Sequence, residues 1–410
     1  MTTRAGALAG VRVLDITQVM AGAYCSMLLA DMGADVIKIE RPKTGDDTRR
    51  MSATSDIEAS QAFVAMNRNK RGISLDLKDP AGADVVRRLA RTADVLVENF
   101  RPGTMDKLGL GFDTLSAINP ELVYCSISGF GATGPYRDLG GFDLVAQAMS
   151  GIMSVTGTPD GEPVKVGVPV CDLNAGLFGA FGVLNAYIHR LATGEGQFVD
   201  TSLLEAGIAT TVWESNEWLA EGKVPAPTGS AHRLSAPYQA LPTSDGHIAI
   251  GAANQRGWEA MCRAIHRTDL LEIEEYGSNP QRMANQRQLA TELGRHLQSR
   301  STDHWVGVLR AHGVACGPIY DVSQVHADAH MQHRGVTTTT SHPILGQVRH
   351  LTVPLRMSQT PAEVRRTAPL LGEHTREVLA ASGFAEAEID ELVNRGVAEV
   401  AEGAALTNPA

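Results

Sequence analysis

The feature that most constrains the fold is the regular alternation of strand and helix signals across the first two hundred residues. Short runs rich in Val, Ile and Leu alternate with stretches of helical periodicity, which is typical of a parallel sheet covered by helices. The predicted strands are residues 11–17, 35–40, 72–77, 94–98, 122–128 and 197–201, and the predicted helices are residues 22–32, 80–92, 172–191 and 202–220. Ligands of such sheets bind beyond the carboxyl ends of the strands. The sequence therefore predicts an α/β fold with its site at that edge.

The second half of the chain predicts a smaller α/β unit and then a return to β-rich and helical sequence. Residues 222–242 are rich in Pro, Gly and Ser and mark a boundary. After this boundary the predicted elements are a strand at 247–251, helices at 256–266, 288–299 and 303–312, a break at Gly317–Pro318, a β-type segment at 336–358, and helices at 373–382 and 385–395.

The composition argues against several classes of protein. The net charge of −10 is unfavourable for a nucleic-acid-binding body, and no apolar run is long enough for a signal peptide or a membrane span. The five cysteines are far apart and form no C-x-x-C motif, so we expect reduced thiols and a cytoplasmic protein. Cys171 is expected to be a buried small residue rather than a reactive thiol.

Asp172 lies where an apolar extended run ends and a long apolar helix is predicted to begin. A carboxylate at such a junction meets the positive end of the helix dipole and free backbone N–H groups, so we expect it to stay ionised. Aspartate is also a preferred N-cap residue, and a cap alone would explain its position. The same side chain can act as a nucleophile toward an activated acyl group, so local spacing leaves both roles open.

Gly129, Gly131 and Gly134 form a G-x-G-x-x-G pattern directly after a predicted strand. Dinucleotide binding requires a helix to begin within these glycines, but Pro135 and further loop residues follow instead. We therefore interpret the glycines as a loop whose backbone comes close to a ligand or a partner chain.

His326, His330 and His333 would share one face of a helix and could suggest a metal site. Carboxylate groups that would support such histidines are not evident nearby. We interpret the three residues as a solvated helical face and predict no metal site.

Several stretches, taken in their order and spacing, resemble the family III CoA-transferases, the group of formyl-CoA transferase and carnitine CoA transferase. The resemblance extends nearly from end to end. It is carried by residues 8–15 (LAGVRVLD), 33–42 (GADVIKIERP), 67–71 (NRNKR), 97–103 (VENFRPG), 171–173 (CDL), 193–197 (TGEGQ) and 371–375 (LGEHT). It implies an enzyme that moves CoA from an acyl-CoA thioester, such as succinyl-CoA, to a free carboxylic acid.

The resemblance also implies the site residues. The nucleophilic aspartate of the family falls on Asp172. Asp143 matches an acidic position that we expect to orient Asp172 or the acyl group, although a turn aspartate would explain it equally well. The CoA contacts of the family fall on Met20 and Ala21 (through their backbone), Arg41, Leu75, Lys78, Asn99, Phe100, Arg101 and Lys107. The four cations suit the phosphates of CoA, while each alone is commonly a solvated surface charge.

The related α-methylacyl-CoA racemases, which transfer a proton, are the alternative. They use a His and a Glu at positions that are Phe142 and Asn254 here. Neither side chain can act as the acid or base, so the pair is missing while the nucleophile remains. This favours CoA transfer through aspartyl-anhydride and aspartyl-CoA intermediates, with backbone N–H groups near Asp172 and in glycine-rich loops stabilising the oxyanions.

The chain departs from formyl-CoA transferase at two places. Met20 stands where that enzyme has a Gln, and its glycine-rich active-site loop has no counterpart in residues 225–238. His232 or Arg233 in that segment would suit the second carboxylate of succinate or a related dicarboxylate.

The resemblance finally implies the architecture and the partners. We expect a large Rossmann-like domain built from both chain ends, residues 1–221 and 336–410, and a smaller α/β middle domain with linkers, residues 222–335. Two subunits are expected to interlock as a homodimer. The substrates are an acyl-CoA and a small carboxylic acid, and we expect no permanently bound cofactor, no nucleic acid and no membrane partner.

Overall fold

The computed structural model describes residues 6–51 and 60–401, which form two compact units. The large unit combines Met1–Ile152, Lys165–Leu219 and Arg334–Ala410, and the small unit combines Met153–Val164 and Ala220–His333. Both chain ends therefore contribute to the large unit. The domain boundaries at residues 222 and 336 stay predictions, and Met153–Val164 belongs with the small unit by its contacts.

Strands and helices alternate along the described chain. The strands are β1 (Arg12–Ile16), β2 (Asp35–Glu40), β3 (Lys70–Leu75), β4 (Val95–Glu98), β5 (Val123–Ser128), β6 (Phe198–Ser202), β7 (Tyr238–Pro242), β8 (His247–Gly251), β9 (Ala315–Pro318), β10 (Thr337–His342), β11 (Gly346–Leu351) and β12 (Ala398–Glu399). The helices are α1 (Ala21–Asp31), α2 (Gln61–Asn67), α3 (Pro80–Ala90), α4 (Thr104–Lys107), α5 (Phe112–Ile118), α6 (Asp143–Met149), α7 (Ile152–Val155), α8 (Val170–Thr193), α9 (Leu203–Thr210), α10 (Val212–Glu221), α11 (Gln255–Ala264), α12 (Asn279–Ala284), α13 (Gln286–Leu297), α14 (Thr302–Ala311), α15 (Val322–Ala327), α16 (Ala329–His333), α17 (Thr375–Ala381) and α18 (Glu386–Asn394). Within the described ranges, every helix is too short or too polar to cross a membrane.

A seven-stranded sheet organises the large unit, in the order β12-β3-β2-β1-β4-β5-β6. Strands β1 to β6 pair in parallel, and β12 pairs antiparallel with β3. This arrangement confirms the predicted α/β class. Each of the six strands predicted in this region overlaps an observed strand, and β2 has the predicted bounds.

The sheet is covered on both faces, because alternate side chains along a strand point to opposite sides. Val13 and Val36 pack in a cluster with residues of α1 and α8, whereas Leu14 and Ile37 pack in a second cluster with residues of α3 and α17. All four side chains are buried. Burial of each side chain contributes roughly 1.5–3 kcal/mol to the stability of the fold, so packing on both faces stabilises the sheet.

The β3 edge of the sheet is closed by the end of the chain. His374 exchanges two hydrogen bonds with Gly72, its N–H donating to the carbonyl at 2.8 Å and its Nδ1 accepting the Gly72 N–H at 3.2 Å. The hydroxyl of Thr375 accepts the Ser74 N–H at 3.1 Å and donates to the Glu399 carbonyl at 2.7 Å. The 371–375 segment therefore joins β3 to β12.

The small unit has its own core around an antiparallel sheet in the order β7-β8-β9. Trp258 and Trp305, from α11 and α14, pack against this sheet. Strand β8 matches its prediction, but β7 lies within the predicted boundary segment and β9 spans the predicted break at Gly317–Pro318. Both strands were missed because Gly and Pro dominate the local signal.

Candidate active site

Asp172 is the third residue of α8, which begins at Val170 after the N-cap residue Pro169. Pro169 makes no side-chain hydrogen bond to the helix. The prediction that the helix begins at Asp172, with this residue as the N-cap, is therefore wrong. The sequence places Val170 and Cys171 in the extended run, because a short apolar segment is compatible with either structure.

The carboxylate of Asp143, the first residue of α6, supplies the cap that α8 lacks. Its Oδ1 accepts the backbone N–H of Cys171 at 2.9 Å and, less closely, that of Asp172 at 3.4 Å. Its Oδ2 accepts a hydrogen bond from Gln147 at 2.7 Å. The structure thus brings the two aspartates predicted for the site together, with Asp143 holding the turn that carries Asp172.

The Asp172 carboxylate is half-buried, and the structure assigns it no hydrogen-bond donor among the described residues. Burial, together with the charge of Asp143, raises its pKa to about 7. At neutral pH this carboxylate is therefore only partly ionised, whereas the sequence predicts that it is fully ionised. Helix N–H groups that would have stabilised its charge donate to Asp143 instead.

The turn between β1 and α1, which carries two predicted CoA contacts, is held in a strained conformation. Val19 has a φ of 62°, which is unfavourable for a β-branched residue. Its N–H donates to the Asp46 carboxylate at 3.1 and 3.3 Å. The side-chain amide of Asn99 donates to the Gln18 carbonyl and accepts the Gln18 N–H, each at 2.7 Å. Asn99, itself a predicted CoA contact, thus fixes this turn.

A buried ionic cluster lies beneath the turn. Lys38 donates to the Thr17 carbonyl at 2.6 Å and to Asp46 at 3.0 Å, and Lys70 donates to Asp15 at 2.8 Å. The four charged side chains are inaccessible to solvent. Although burial alone would raise the pKa of Asp15, the charges of both lysines hold it well below its usual range. The sequence marks these residues only by lysine within otherwise apolar strands, and this pattern alone predicts no role for them.

The start of α8 packs on the start of α1. A Cβ added to Gly176 would lie 2.5 Å from the Ala21 carbonyl oxygen, so only glycine permits this approach. Asp172 and Gly176 are one helical turn apart and share a face of α8. Asp172 therefore lies beside the turn that carries the backbone of Met20 and Ala21.

Three of the predicted CoA-binding cations follow neighbouring strands. Arg41 comes directly after β2, Lys78 closely after β3, and Arg101 shortly after β4. These strands and β1 are adjacent and parallel, so the three residues share the carboxyl edge of the sheet. Each is exposed, and Arg41 donates to Asp47 at 2.5 Å. The sheet thus gathers them near the β1–α1 turn.

The other predicted CoA contacts are more closely built into the fold. Leu75, the last residue of β3, is fully buried in the core. Phe100 packs partly against the same core, and its N–H donates to Glu98 at 2.8 Å. Lys107 is exposed at the end of α4.

A cavity of ≈ 270 Å³ lies at the carboxyl ends of β4 and β5. Arg101 and Glu98 are among the residues that line it. Burial raises the pKa of Glu98 to about 7. Glu98 has no predicted role, because an acidic residue that ends an apolar strand is not distinctive by itself.

The glycine-rich segment after β5 forms a loop, as predicted, and no helix begins before Asp143. Gly131 and Gly134 have φ values of 94° and 88°. A Cβ on Gly129 would lie 2.6 Å from the Cα of Gly141, so this glycine allows two backbone segments to meet. The close approach is within the chain itself and places the loop next to Asp143.

Phe142 and Asn254 stand where the racemases have their acid and base, and each has a local structural setting of its own. Phe142 is 74 % exposed immediately before α6. Asn254, in the small unit, is the N-cap of α11 and accepts the Gly257 N–H at 2.8 Å. Neither residue offers proton transfer, which agrees with the preference for CoA transfer.

The predicted single helical face for three histidines is wrong. His326 belongs to α15, whereas His330 and His333 belong to α16, and Asp328 between them caps the second helix. Tertiary structure thus interrupts the helical spacing. Across residues 6–51 and 60–401, no three His, Cys, Asp or Glu side chains lie close enough to bind a metal ion.

Cys171 is fully buried, as predicted. Burial, with a contribution from Asp143, raises the pKa of its thiol to about 11. The thiol is therefore protonated at neutral pH and unreactive. All five cysteines are free thiols in the structure.

His232 and Arg233 contribute to the structure of the small unit. The His232 ring stacks on Tyr238 with ring centres 4.8 Å apart, and its Nδ1 accepts the Leu234 N–H at 3.1 Å. Arg233 donates to the Ala226 carbonyl at 2.7 Å. Their role in recognising an acid stays a prediction.

Comparisons with known proteins agree with this geometry. Residues 8–375 match the family model of CoA-transferase family III. The chain is 37% identical over 393 residues to the succinyl-CoA:glutarate CoA-transferase of Mus musculus, covering 96% of this chain and 90% of the relative. It is 38% identical over 391 residues to the succinate–glutarate CoA-transferase of Agrobacterium fabrum, covering 93% of this chain and 96% of the relative.

A solved structure shares the fold over almost the whole chain. It is a CAIB/BAIF family protein from Brucella suis, with a TM-score of 0.84 and 36% identity over 92% of this chain and 100% of that protein. The chain thus belongs to CoA-transferase family III and is a CoA-transferase that acts on an acyl-CoA and a carboxylate.

Proposed function

We propose that this enzyme transfers CoA from succinyl-CoA to a dicarboxylic acid such as glutarate, with Asp172 as the nucleophile. The names of its relatives in mouse and Agrobacterium fabrum support the choice of substrates. The observation that carries the proposal is the Asp172 carboxylate, half-buried and without a hydrogen-bond donor beside the β1–α1 turn. A desolvated carboxylate with a raised pKa is more basic and hence more nucleophilic.

The reaction proceeds through two anhydrides and one thioester. An Asp172 carboxylate oxygen attacks the thioester carbonyl of the donor, and the C–S bond breaks to release CoA thiolate. The thiolate attacks the Asp172 carbonyl, which forms aspartyl-CoA and releases the donor acid. The acceptor carboxylate then attacks the carbonyl of aspartyl-CoA, which forms the second anhydride and releases the thiolate again. Attack of this thiolate on the acceptor acyl group gives the new acyl-CoA and restores the Asp172 carboxylate.

The oxyanions of these steps need donors other than the first amides of α8, since Asp143 accepts those. The start of α1 is suitable, because its N-cap residue Met20 contributes no side-chain cap. The first N–H groups of a helix have no partner within the helix, and they point out of its positive end, where an oxyanion can accept them. In this proposal the β1–α1 turn both holds CoA and stabilises the tetrahedral intermediates.

Coenzyme A binding is assigned to the carboxyl edge of the large sheet. Arg41, Lys78, Arg101 and Lys107 would neutralise the phosphates, since all four are exposed cations. The backbone of Met20 and Ala21, with Leu75, Asn99 and Phe100, would form the remaining contacts. Coenzyme A is a substrate in this scheme, no permanently bound cofactor or metal is used, and we place the enzyme in the cytoplasm without nucleic-acid or membrane partners.

The active enzyme is proposed to be an interlocked homodimer. Helices α8 and α10 expose large apolar side chains, including Phe181, Ile188, Trp213 and Trp218. Apolar surface of this extent is typical of a protein interface. Light scattering of the purified protein is expected to give a mass twice that of the 43.7 kDa chain. A monomer at micromolar concentration would contradict the proposal.

Incubation with succinyl-CoA and a panel of mono- and dicarboxylic acids is expected to yield new acyl-CoA thioesters, with glutaryl-CoA among the main products. Mass spectrometry should also find CoA mass added at Asp172 in enzyme quenched during turnover. Malonate and acetate serve as shorter and singly charged acceptors. If no acid accepts CoA, and a branched acyl-CoA exchanges its α-proton with deuterium from solvent, the protein acts as a racemase instead.

A further inference from the structure

Gln147 is a fully buried polar residue next to the site, and every polar atom of its side chain is engaged. Its Nε2 donates to Asp143 Oδ2 at 2.7 Å and to the Val168 carbonyl at 3.3 Å. Its Oε1 accepts the Val166 N–H at 2.8 Å. The orientation of the amide is unambiguous, because the carboxylate and the carbonyl can only accept and the backbone N–H can only donate.

These contacts connect three parts of the site. Gln147 lies one helical turn after Asp143 on the same face of α6. Through its other two hydrogen bonds it holds the 166–168 segment, which leads directly into α8. Asp143 in turn accepts the amides of Cys171 and Asp172. Gln147 thus fixes both the carboxylate that caps α8 and the chain that enters it.

We propose that Gln147 is a positioning residue for CoA transfer, which holds the Asp143 carboxylate against the first turn of α8 and thereby sets the electrostatic surroundings of Asp172. The inference rests on the proposed role of Asp172 as nucleophile. Gln147 itself touches no substrate in this scheme. It acts through the N–H that it donates to Asp143, which keeps that carboxylate directed at the first turn of α8.

The elements packed on α8 contribute the charges that matter for Asp172. Asp143 of α6 is the carboxylate that raises the pKa of Asp172 beyond the effect of burial. Burial raises the pKa of the Tyr24 hydroxyl on α1, and that of the neighbouring Cys171 thiol, so both are neutral at pH 7. Glu205 of α9 accepts a hydrogen bond from Ser202 at 2.6 Å. The charge of Asp143 is therefore the one whose position matters, and substitution of Gln147 is the way to change that position.

Two substitutions give different expected pH profiles. Gln147→Leu removes the donor that holds the Asp143 carboxylate in place, so its negative charge lies on average farther from Asp172, and the midpoint for Asp172 ionisation moves to lower pH. Gln147→Glu has the same shape and retains the acceptor for Val166, but its second oxygen faces the Asp143 carboxylate. The two carboxyl groups must share a proton. Loss of this proton at high pH separates them and releases the first turn of α8.

The test is the single-turnover rate at which succinyl-CoA forms aspartyl-CoA at Asp172, measured by mass spectrometry between pH 5.5 and 9. The wild-type rate should rise with pH through a midpoint near the pKa of about 7 and then level off. The Gln147→Leu profile should shift to lower pH with a plateau at least about tenfold lower. Gln147→Glu should match wild type at low pH and fall at high pH, giving a bell-shaped profile.

Gln298→Leu, a change of the same type at an exposed position of the small unit, is the control and should leave the profile unchanged. Should both Gln147 variants lose rate with the wild-type pH dependence, or lose none, Gln147 has only a structural role and the inference fails. If wild-type enzyme acquires no CoA at Asp172, the proposed function fails as well, so the two failures are distinguished.

Discussion

Asp172→Asn is expected to abolish CoA transfer, with a fall in kcat of at least about 10⁴-fold. Asparagine has the same shape as aspartate, but its amide cannot form the anhydride or the aspartyl-CoA thioester. The acyl-CoA should still bind, because the residues assigned to CoA lie on the β1–α1 turn and the edge of the sheet. Steady-state rates and calorimetric titration with CoA would measure the two properties. Asp84→Asn, at an exposed position of α3, is the control and should retain full activity.

The stability of the same variant separates loss of chemistry from loss of fold. The folded protein retains the Asp172 proton up to about pH 7, whereas the unfolded chain releases it near pH 4. On account of this group the free energy of unfolding therefore decreases as pH rises between these values and stays low above them. Asp172→Asn lacks the effect, so from pH 5 to pH 8 it should gain roughly 1–3 kcal/mol relative to wild type. Urea unfolding at both pH values measures this gain, and an equal difference at both would contradict the raised pKa.

Asp15→Leu is expected to lower the free energy of unfolding by about 3–5 kcal/mol, because it leaves the buried Lys70 ammonium without its carboxylate. The hydroxyl of Ser26 also loses its acceptor on Asp15, at 2.6 Å in the native protein. Lys38 retains Asp46 as its partner. Urea unfolding monitored by circular dichroism would measure the loss.

A double variant gives the buried pair its sharpest test. Asp15→Leu combined with Lys70→Met should recover much of the lost stability, since an apolar pair of similar volume removes the uncompensated charge. Arg263→Ala breaks the exposed Arg263–Glu259 pair of α11 and should cost less than about 1 kcal/mol. A double variant as unstable as the sum of the single ones would mean that the two charges do not depend on each other.

The sequence predicted the sheet well, because buried parallel strands leave a strong local signal. The parallel strand β2 has the predicted bounds, and its buried apolar residues explain why. The antiparallel strand β8 of the small unit also has the predicted bounds, and buried and exposed residues alternate along it. The single helix predicted over residues 202–220 is two helices, α9 and α10, separated at Thr211. Apolar spacing continues across that break, so periodicity could not reveal it.

The site was predicted only in part, for a physical reason. Resemblance brought Asp143 and Asp172 together, and the structure places them in contact through the amides of α8. The state of Asp172 depends on burial and on a carboxylate 29 positions away in the chain, neither of which local sequence shows. Gln147 and Lys38 were missed for the same reason, since their importance comes from burial and from distant partners.

The joining of β3 to the end of the chain has a consequence for how the protein is made. The N–H and the carbonyl of Gly72 both bond to His374, which is translated 302 residues later, so these two hydrogen bonds cannot form before then. The edge of β3 therefore stays open during most of synthesis, while all segments of the small unit, which end at His333, have already been translated. An open strand edge is a template for pairing with other chains. The last part of the polypeptide thus protects the first part from aggregation, and a nascent chain that stalls before this point presents an unpaired strand.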